Sequence, residues 1–412
     1  MFKKVFPLFT TVFIDTLSFG LVIPVLAPIF LNETGGFFAP GTPNATRTLV
    51  LGVLLALYPF VQFFAAPYLG ALADKYGRKK VLVFSLMGTF LSYVLLGFGI
   101  YYRNLYLLLI ARVFDGFTGA NQSSVYSAIS DITQEHERPK FYGIIGVATA
   151  AGYILGPYIG GKLSDPKVFL AFSYETPFIF AAVLCLINVI FVKLIMQETL
   201  TNRNYDIKVH LFDSIYNLRK AFLTKGIRVL FFITLLTSFG FNFFTQFFPV
   251  YLVKRFGMAQ GDIGDFFAYL GICVAIIQGL GTYIISKYVK PAKVIYVSML
   301  LLTISYVCIV IPEKATGLYI TIPFLAMFLG LTDPNLTTLL SSHTDESSQG
   351  RLMGIRQSVL ALAQTIPPII AGFSASIHFA SPIILAALTT VIGWFILSIK
   401  YNNIESLEKV TL

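Results

Sequence analysis

Long apolar stretches with almost no charge recur along the whole chain and constrain its fold more than any other feature. Each is long enough to cross about 30 Å of hydrocarbon as a helix of at least about 18 residues. We count twelve such spans, at residues 5–31, 49–73, 81–101, 105–130, 141–163, 177–197, 227–253, 262–285, 293–312, 317–341, 352–376 and 380–401. With 56% hydrophobic and 12% charged residues, the chain has too little charge to solvate this surface in water. The sequence therefore predicts an all-α polytopic membrane protein.

Lysine and arginine are unevenly divided between alternate loops. Of the 30 in the chain, 22 lie in the termini, in the loops of the same side or at the adjoining helix ends, seven lie in the other loops or helix ends, and Arg112 lies deep inside a span. The positive-inside rule then predicts that both termini are cytoplasmic. This topology also accounts for the net charge of +10, so no nucleic-acid partner is expected. The expected location is a lipid bilayer, with the inner membrane of a bacterium as the preferred interpretation.

The loop between spans 6 and 7 is polar and much longer than the other loops predicted on the cytoplasmic side. Residues 198–226 carry mixed charge and include a predicted amphipathic helix at 211–223. This segment divides six spans from six and predicts two six-helix halves, residues 1–197 and 227–401, followed by a cytoplasmic tail at 402–412.

A weak internal repeat agrees with this division. A shift of 211 residues aligns Pro157 with Pro368 and Gly161 with Gly372, each pair in the fifth span of its half. The register matches the span count, so the two halves are predicted to be pseudo-symmetric.

Four charged residues lie at membrane depth, away from the ends of the predicted spans, where charge is costly and therefore indicates function. They are Asp15, Arg112, Asp115 and Asp333. We predict Asp15 as the proton-coupling residue, because apolar surroundings favour the neutral form of a carboxyl group and bring proton binding into competition with substrate. The alternative is that Asp15 only pairs with Arg112. Asp115 is interpreted as the local counter-ion of Arg112, and Asp333 as part of the cavity or of a proline kink.

Polar residues recur at helical spacing in spans 1, 4, 7 and 10, whereas spans 3, 6, 9 and 12 have few at their centres. Those four spans are therefore predicted to line a wet interior. The predicted substrate-cavity residues are Thr11, Ser18, Gln122, Tyr126, Asn242, Gln246 and Thr337. Five phenylalanines within residues 241–248 are a candidate apolar wall of this cavity.

A charged turn joins spans 2 and 3 with the sequence GALADKYGRKKVL, from Gly70 to Leu82. It resembles the motif Gly-x-Leu-Ala-Asp-x-x-Gly-Arg-Lys-x-x-Leu of the major facilitator superfamily. The resemblance implies twelve transmembrane helices in two halves, and it assigns a gating role to Gly70, Asp74, Gly77, Arg78 and Lys79. In that role Arg78 is expected to pair with an acid such as Asp131.

Span 5 carries glycines at every fourth residue and a proline beside one of them. This spacing predicts a smooth surface against which another helix can pack closely. The gating residues assigned here are Gly152, Gly156, Pro157, Gly160 and Gly161. The pattern resembles the antiporter motif of superfamily members that export drugs against protons. Span 1 resembles the opening of the tetracycline-type and multidrug exporters.

These resemblances imply a secondary active transporter that exports small amphipathic organic molecules by alternating access. The expected partners are the substrate, protons and lipid, the energy source is the proton gradient, and a monomer without cofactor or metal is expected. A transporter of a specific metabolite, nutrient or siderophore, working in either direction, is the alternative. A sensor would need a sizeable soluble domain, and no Walker loop, metal-ligand spacing or nucleophile motif indicates an enzyme.

Overall fold

A computed structural model describes residues 2–33, 36–119, 121–134, 138–200, 212–223, 227–342 and 349–408. All regular secondary structure of these residues is helical. Its helices are α1 (Phe2–Leu31), α2 (Asn44–Tyr76), α3 (Arg78–Tyr101), α4 (Leu105–Thr118), α5 (Asn121–Ile132), α6 (Arg138–Leu163), α7 (Thr176–Ile195), α8 (Asp213–Leu223), α9 (Arg228–Phe256), α10 (Gln260–Ile276), α11 (Thr282–Ser286), α12 (Pro291–Cys308), α13 (Ala315–Ser342), α14 (Gln349–Ile377) and α15 (Ser381–Glu408). A π-helical turn at Ile277–Gly281 joins α10 to α11.

The described helices agree with twelve membrane spans. Eleven segments are long and apolar enough to cross a bilayer, and α10, the π-helical turn and α11 together form one of them. The twelfth, predicted as one helix at 105–130, consists of α4 and α5. The first of these helices ends at Gly119, whose N–H donates to the carbonyl of Asp115 at 2.6 Å. The predicted span is thus present, with a helix end at Thr118 in its middle.

The chain forms two compact units. The first comprises Met1–Pro43, Leu57–Asp213 and Met258–Ala268, with α1 packed on α6 and α7, and α3 packed on α4 and α7. The second comprises Asn44–Ala56, Ser214–Gly257 and Tyr269–Leu412, with α9 packed on α14 and α15, and α12 packed on α13 and α15. The sequence division at 198–226 remains a prediction.

Helix α6 packs closely on α1 in the first unit, through the glycines spaced four residues apart. A Cβ atom on Gly156 would lie 2.6 Å from the carbonyl oxygen of Leu17 and 2.8 Å from the Cα of Gly20. Gly152 and Gly160 face the same helix, beside Thr16 and Leu21 respectively, in a sequence of contacts along α1. The close approach that the spacing predicts is confirmed, and it holds the middle of α1 against α6.

The repeated proline and glycine residues make the same kind of contact in both units. In the first unit, a Cβ atom on Gly264 of α10 would lie 2.6 Å from the carbonyl oxygen of Pro157 and 3.1 Å from the Cα of Gly161. In the second unit, a Cβ atom on Gly52 of α2 would meet the carbonyl oxygen of Pro368 and lie 3.1 Å from the Cα of Gly372. The weak sequence repeat therefore corresponds to equivalent helix crossings.

The linker helix α8 is part of the core of the second unit. Its Ala221 is fully buried in a cluster that includes Leu230, Ile295 and Leu397, and Phe222 packs against this cluster. The structure thus confirms an amphipathic helix here, at Asp213–Leu223 within the predicted 211–223.

Candidate transport site

The half-buried carboxyl group of Asp15 lies beside the break between α4 and α5. Its Oδ1 accepts a hydrogen bond from Nδ2 of Asn121 at 3.2 Å. Asn121 is the first residue of α5, two residues after the cap of α4 at Gly119. The partner of Asp15 in the structure is a neutral amide, and the alternative in which Asp15 pairs with Arg112 is not observed among the described residues.

Arg112 and Asp115 form a buried ion pair on α4. Their side chains are 3% and 4% exposed, and Nη1 of Arg112 lies 3.7 Å from Oδ2 of Asp115. The contact that the three-residue spacing predicts is therefore observed. Nε of Arg112 is buried without a hydrogen-bond partner among the described residues. Because an unpaired charge at this depth is costly, each member of the pair depends on the other.

Two side chains of α2 complete the polar cluster around this break. Nε2 of Gln62 donates to the hydroxyl of Tyr58 at 2.9 Å and to the carbonyl of Gly119 at 3.1 Å. The second bond satisfies a carbonyl at the end of α4.

Aromatic rings cover the other side of this cluster. The ring of Phe19, one turn along α1 from Asp15, lies 5.8 Å from that of Tyr58 and 6.1 Å from that of Tyr153. The arrangement joins a titratable carboxyl group to three aromatic rings. Such a surface can contact a flat apolar molecule and also hold a few of its polar groups.

The other predicted cavity residues of the first unit have different surroundings. Thr11 is fully buried, with its hydroxyl bonded to the carbonyl of Pro7 at 2.8 Å, and Ser18 is fully buried beside Cys185 of α7. In this conformation neither side chain reaches an accessible surface. Tyr126 is half-buried against Tyr142, with ring centroids 5.2 Å apart, and the side chain of Gln122 lies outside the described residues.

In the second unit, Asn242 and Gln246 form a hydrogen-bonded pair on α9. Nε2 of Gln246 donates to Oδ1 of Asn242 at 2.9 Å and to the carbonyl of Gln364 in α14 at 3.3 Å. Gln364 was not expected from the sequence, since it lies 118 residues away from Gln246.

Four of the five phenylalanines of the candidate wall at residues 241–248 are buried in this conformation. Phe243, Phe244, Phe247 and Phe248 are at most 2% exposed. Phe244 and Phe248 pack on one another with ring centroids 4.5 Å apart, and Phe244 also contacts Tyr306. Phe244 and Phe248 thus pack within the second unit, while Phe241 is 44% exposed.

Asp333 on α13 has a cationic partner that the sequence analysis missed. Its Oδ1 accepts from Nη2 of Arg356 in α14 at 2.6 Å, and its side chain is 59% exposed. Thr337 follows one turn later and bonds its hydroxyl to the backbone carbonyl of Asp333 at 2.9 Å. The pair joins α13 to α14 within the second unit.

The charged turn between α2 and α3 is held by carboxylates on both sides of Arg78. The guanidinium group lies 2.5 Å from Oδ1 of Asp74 and 3.1 Å from Oδ2 of Asp131, which is the pairing expected from the sequence. The backbone N–H of Arg78 donates to Oε1 of Glu198 at 2.9 Å, a contact not foreseen. Glu198 thereby supplies a negative charge at the N-terminus of α3, where the helix dipole favours one. Lys79 is partly exposed.

Alanine substitution of Gly77 in this turn is expected to destabilise the protein, and the same substitution at Gly70 serves as the control. The φ of 106° at Gly77 is unfavourable for other residues, and a Cβ atom there would collide with the Glu198 carboxylate. Gly77→Ala is therefore expected to lower the free energy of unfolding by about 1–3 kcal/mol. Gly70→Ala, in a helical position with no neighbour within 4 Å, is expected to be neutral or to raise it by up to about 1 kcal/mol. Thermal unfolding of the detergent-solubilised protein measures both, and equal effects would contradict the assignment of strain to Gly77.

The helices and the site define a multi-pass membrane transporter, with twelve spans and acids at membrane depth. The Major Facilitator Superfamily model matches residues 8–368. The chain belongs to this superfamily.

The similar proteins found by sequence are resistance proteins of bacteria. The chain is 31% identical to the tetracycline resistance protein, class H, of Pasteurella multocida over 401 residues, covering 92% of this chain and 91% of that protein. It is 27% identical to the quinolone resistance protein NorA of Staphylococcus aureus over 416 residues, covering 99% of each.

Solved structures agree with the fold. The human organic anion transporter MFSD10 superposes with a TM-score of 0.72 at 20% identity, covering 96% of this chain and 99% of that one. A D-xylose-proton symporter superposes with a TM-score of 0.75 at 13% identity, covering 96% of this chain and 97% of that one. At these identities the likeness concerns the fold alone.

Proposed function

We propose that this transporter exports small amphipathic organic molecules in exchange for protons, with Asp15 as the coupling acid. The observation that supports this most directly is the difference among the membrane-depth acids of the described residues. Asp115 pairs with Arg112 and Asp333 with Arg356, whereas Asp15 has only the amide of Asn121 as its hydrogen-bond partner. A carboxyl group without a cationic partner can exchange its proton without breaking an ion pair.

The substrate class follows from the surroundings of Asp15 and from the relatives. Phe19, Tyr58 and Tyr153 offer ring faces and edges, while Gln62 and Asn121 offer a few hydrogen-bonding groups. Sugars need many hydrogen bonds, and a surface of this composition is better suited to planar amphipathic molecules. The resistance proteins described above are named for resistance to tetracyclines and to quinolones, which are planar amphipathic molecules.

Coupling requires only that proton and substrate favour different conformations. A ligand shifts a conformational equilibrium by its differential affinity for the two states. Protonation of Asp15 removes the negative charge of its carboxylate and favours one conformation of the transporter. A bound substrate favours the other conformation, in which Asp15 is charged. The proton gradient then drives export without a cofactor. The chain is proposed to act as a monomer in the bacterial inner membrane with both termini cytoplasmic.

Reconstituted liposomes test this proposal. Purified protein in vesicles with an imposed pH gradient is supplied with a tetracycline, a fluoroquinolone, a sugar and an amino acid. Transport of the first two is expected, together with its loss when an ionophore collapses the gradient. Transport that continues without the gradient would refute proton coupling. Movement of only the polar metabolites would favour the alternative, a specific metabolite transporter.

A further inference from the structure

A shallow groove of about 300 Å³ lies on the surface of the second unit, away from the polar residues of α9, α13 and α14 described above. It is lined by Phe222 of α8, Arg228, Val229 and Phe232 of α9, and Ile396 of α15. Its volume is at the lower end of the range of about 300–1,000 Å³ that small-ligand sites occupy. Four of the five lining side chains are apolar and the fifth is a cation.

Phe222, Val229 and Ile396 form the apolar floor of this groove on the core cluster of the second unit, and Phe232 forms its exposed side. The rings of Phe222 and Phe232 meet edge to face with centroids 5.6 Å apart, and Phe232 is 47% exposed. In a membrane protein, exposed apolar surface at this position faces acyl chains. The groove is therefore accessible to the lipid phase from the side.

The polar end of the groove is suited to an anion. Arg228 is exposed, and no carboxylate among the described residues forms an ion pair with it. It is also the first residue of α9, preceded by Ile227, which has no side-chain acceptor to cap the helix. A guanidinium group without a carboxylate partner at the start of a helix favours an anion such as a phosphate.

The neighbouring helix α8 has the composition of a helix at the membrane surface. Its outward residues include Ile215, Tyr216 and Leu223, which are 49%, 55% and 64% exposed, together with Arg219. Apolar and basic residues on one exposed face are typical of helices in the headgroup region. The charge distribution over the loops predicts that this end of the spans is cytoplasmic, where the anionic lipids of the inner leaflet lie.

We propose that this groove binds one anionic phospholipid of the cytoplasmic leaflet. An acyl chain lies along Phe222, Val229, Phe232 and Ile396, and the phosphate is held by Arg228 and the N-terminus of α9. The lipid thereby joins the linker helix α8 to α9 and α15. This binding is independent of the transported substrate and of the coupling acid.

Tryptophan quenching by brominated lipids tests the proposal at the groove itself. The chain has one tryptophan, Trp394, so Trp394→Phe provides a silent background in which Phe232→Trp reports on the groove. Brominated phosphatidylglycerol is expected to compete about fivefold better than brominated phosphatidylcholine at this position, as one basic residue near the surface predicts. Arg228→Gln in the same background is expected to bring the ratio close to one.

Two matched variants separate a site from a general surface effect. Phe395 lies next to Ile396 on α15 and is 60% exposed, so it is expected to face lipid outside the groove. Tryptophan at this position, in Phe395→Trp, is expected to show no preference between the two lipids. Arg219→Gln removes an exposed charge of α8 outside the groove and is expected to leave the ratio at position 232 unchanged.

The competing outcomes are distinct. Equal quenching by both lipids at position 232, or an equal preference at 232 and 395, would refute the site. Relief of quenching by a tetracycline without any lipid preference would assign the groove to substrate and also refute it. Thermal unfolding of the otherwise unmodified protein gives a second measurement, in which phosphatidylglycerol is expected to stabilise the wild type more than Arg228→Gln. An equal stabilisation would count against the proposal.

Discussion

Asp15→Asn is expected to uncouple transport from the pH gradient while leaving the protein folded. Asparagine keeps the size of the side chain and can still bond to the amide of Asn121, whose Nδ2 lies 3.2 Å from Oδ1 of Asp15. The substitution removes the titration alone. Gradient-driven transport is expected to fall at least about tenfold, because a differential affinity of about 1.4 kcal/mol between two states already corresponds to that factor.

The measurement is substrate transport into vesicles with and without the gradient, together with substrate-induced proton release from the purified protein. Counterflow, which needs substrate exchange but no net proton movement, is expected to persist in Asp15→Asn. Asp333→Asn is the matched control, since Asp333 already has Arg356 as a cationic partner. If Asp15→Asn keeps gradient-driven transport and proton release while Asp333→Asn loses both, the coupling acid is Asp333.

The span pattern could be predicted from the sequence because hydropathy and bilayer thickness act on each segment by itself. Helices α2 and α3, for example, extend a few residues beyond the apolar runs, to Asn44 and Arg78. Local pairs were predictable for a similar reason. Arg112 and Asp115 are three residues apart on one helix, so their contact follows from helical geometry.

Contacts between distant segments were not predictable in this way. The hydrogen bond from Asn121 to Asp15 joins residues 106 apart, and that from Arg78 to Glu198 joins residues 120 apart. The break at Gly119 also depends on a remote partner, because Gln62 of α2 bonds the carbonyl there. A single glycine in an apolar run is compatible with a continuous helix and also with a helix end. The sequence alone does not distinguish these two structures.

The expected phenylalanine wall shows the same limit in a different form. Composition identifies an aromatic-rich stretch at residues 241–248 but not the side toward which each ring points. Phe244 and Phe248, one turn apart, both pack into the interior beside Tyr251 and Tyr306. The aromatic surface beside Asp15 is instead assembled from three different helices, α1, α2 and α6, through Phe19, Tyr58 and Tyr153. No single stretch of sequence contains it.

Arg112→Met is expected to be the most destabilising of the charge substitutions. It leaves the Asp115 carboxylate, which is 4% exposed, without its partner. Removing one member of a buried pair typically costs about 3–5 kcal/mol, since the remaining charge keeps its desolvation penalty and loses the compensating attraction. Arg356→Gln is the matched control, because Asp333 is 59% exposed and remains solvated, so a cost of less than about 1 kcal/mol is expected.

The double variant Arg112→Met/Asp115→Asn separates stability from transport. With the buried charge gone, most of the lost unfolding free energy is expected to return, as it does when a buried ion pair is replaced as a whole. Transport is expected to remain impaired, because both charges of α4 at membrane depth are missing. Thermal unfolding in detergent and vesicle transport measure the two effects on the same samples. A double variant no more stable than Arg112→Met alone would show that the guanidinium group stabilises the fold through contacts other than Asp115.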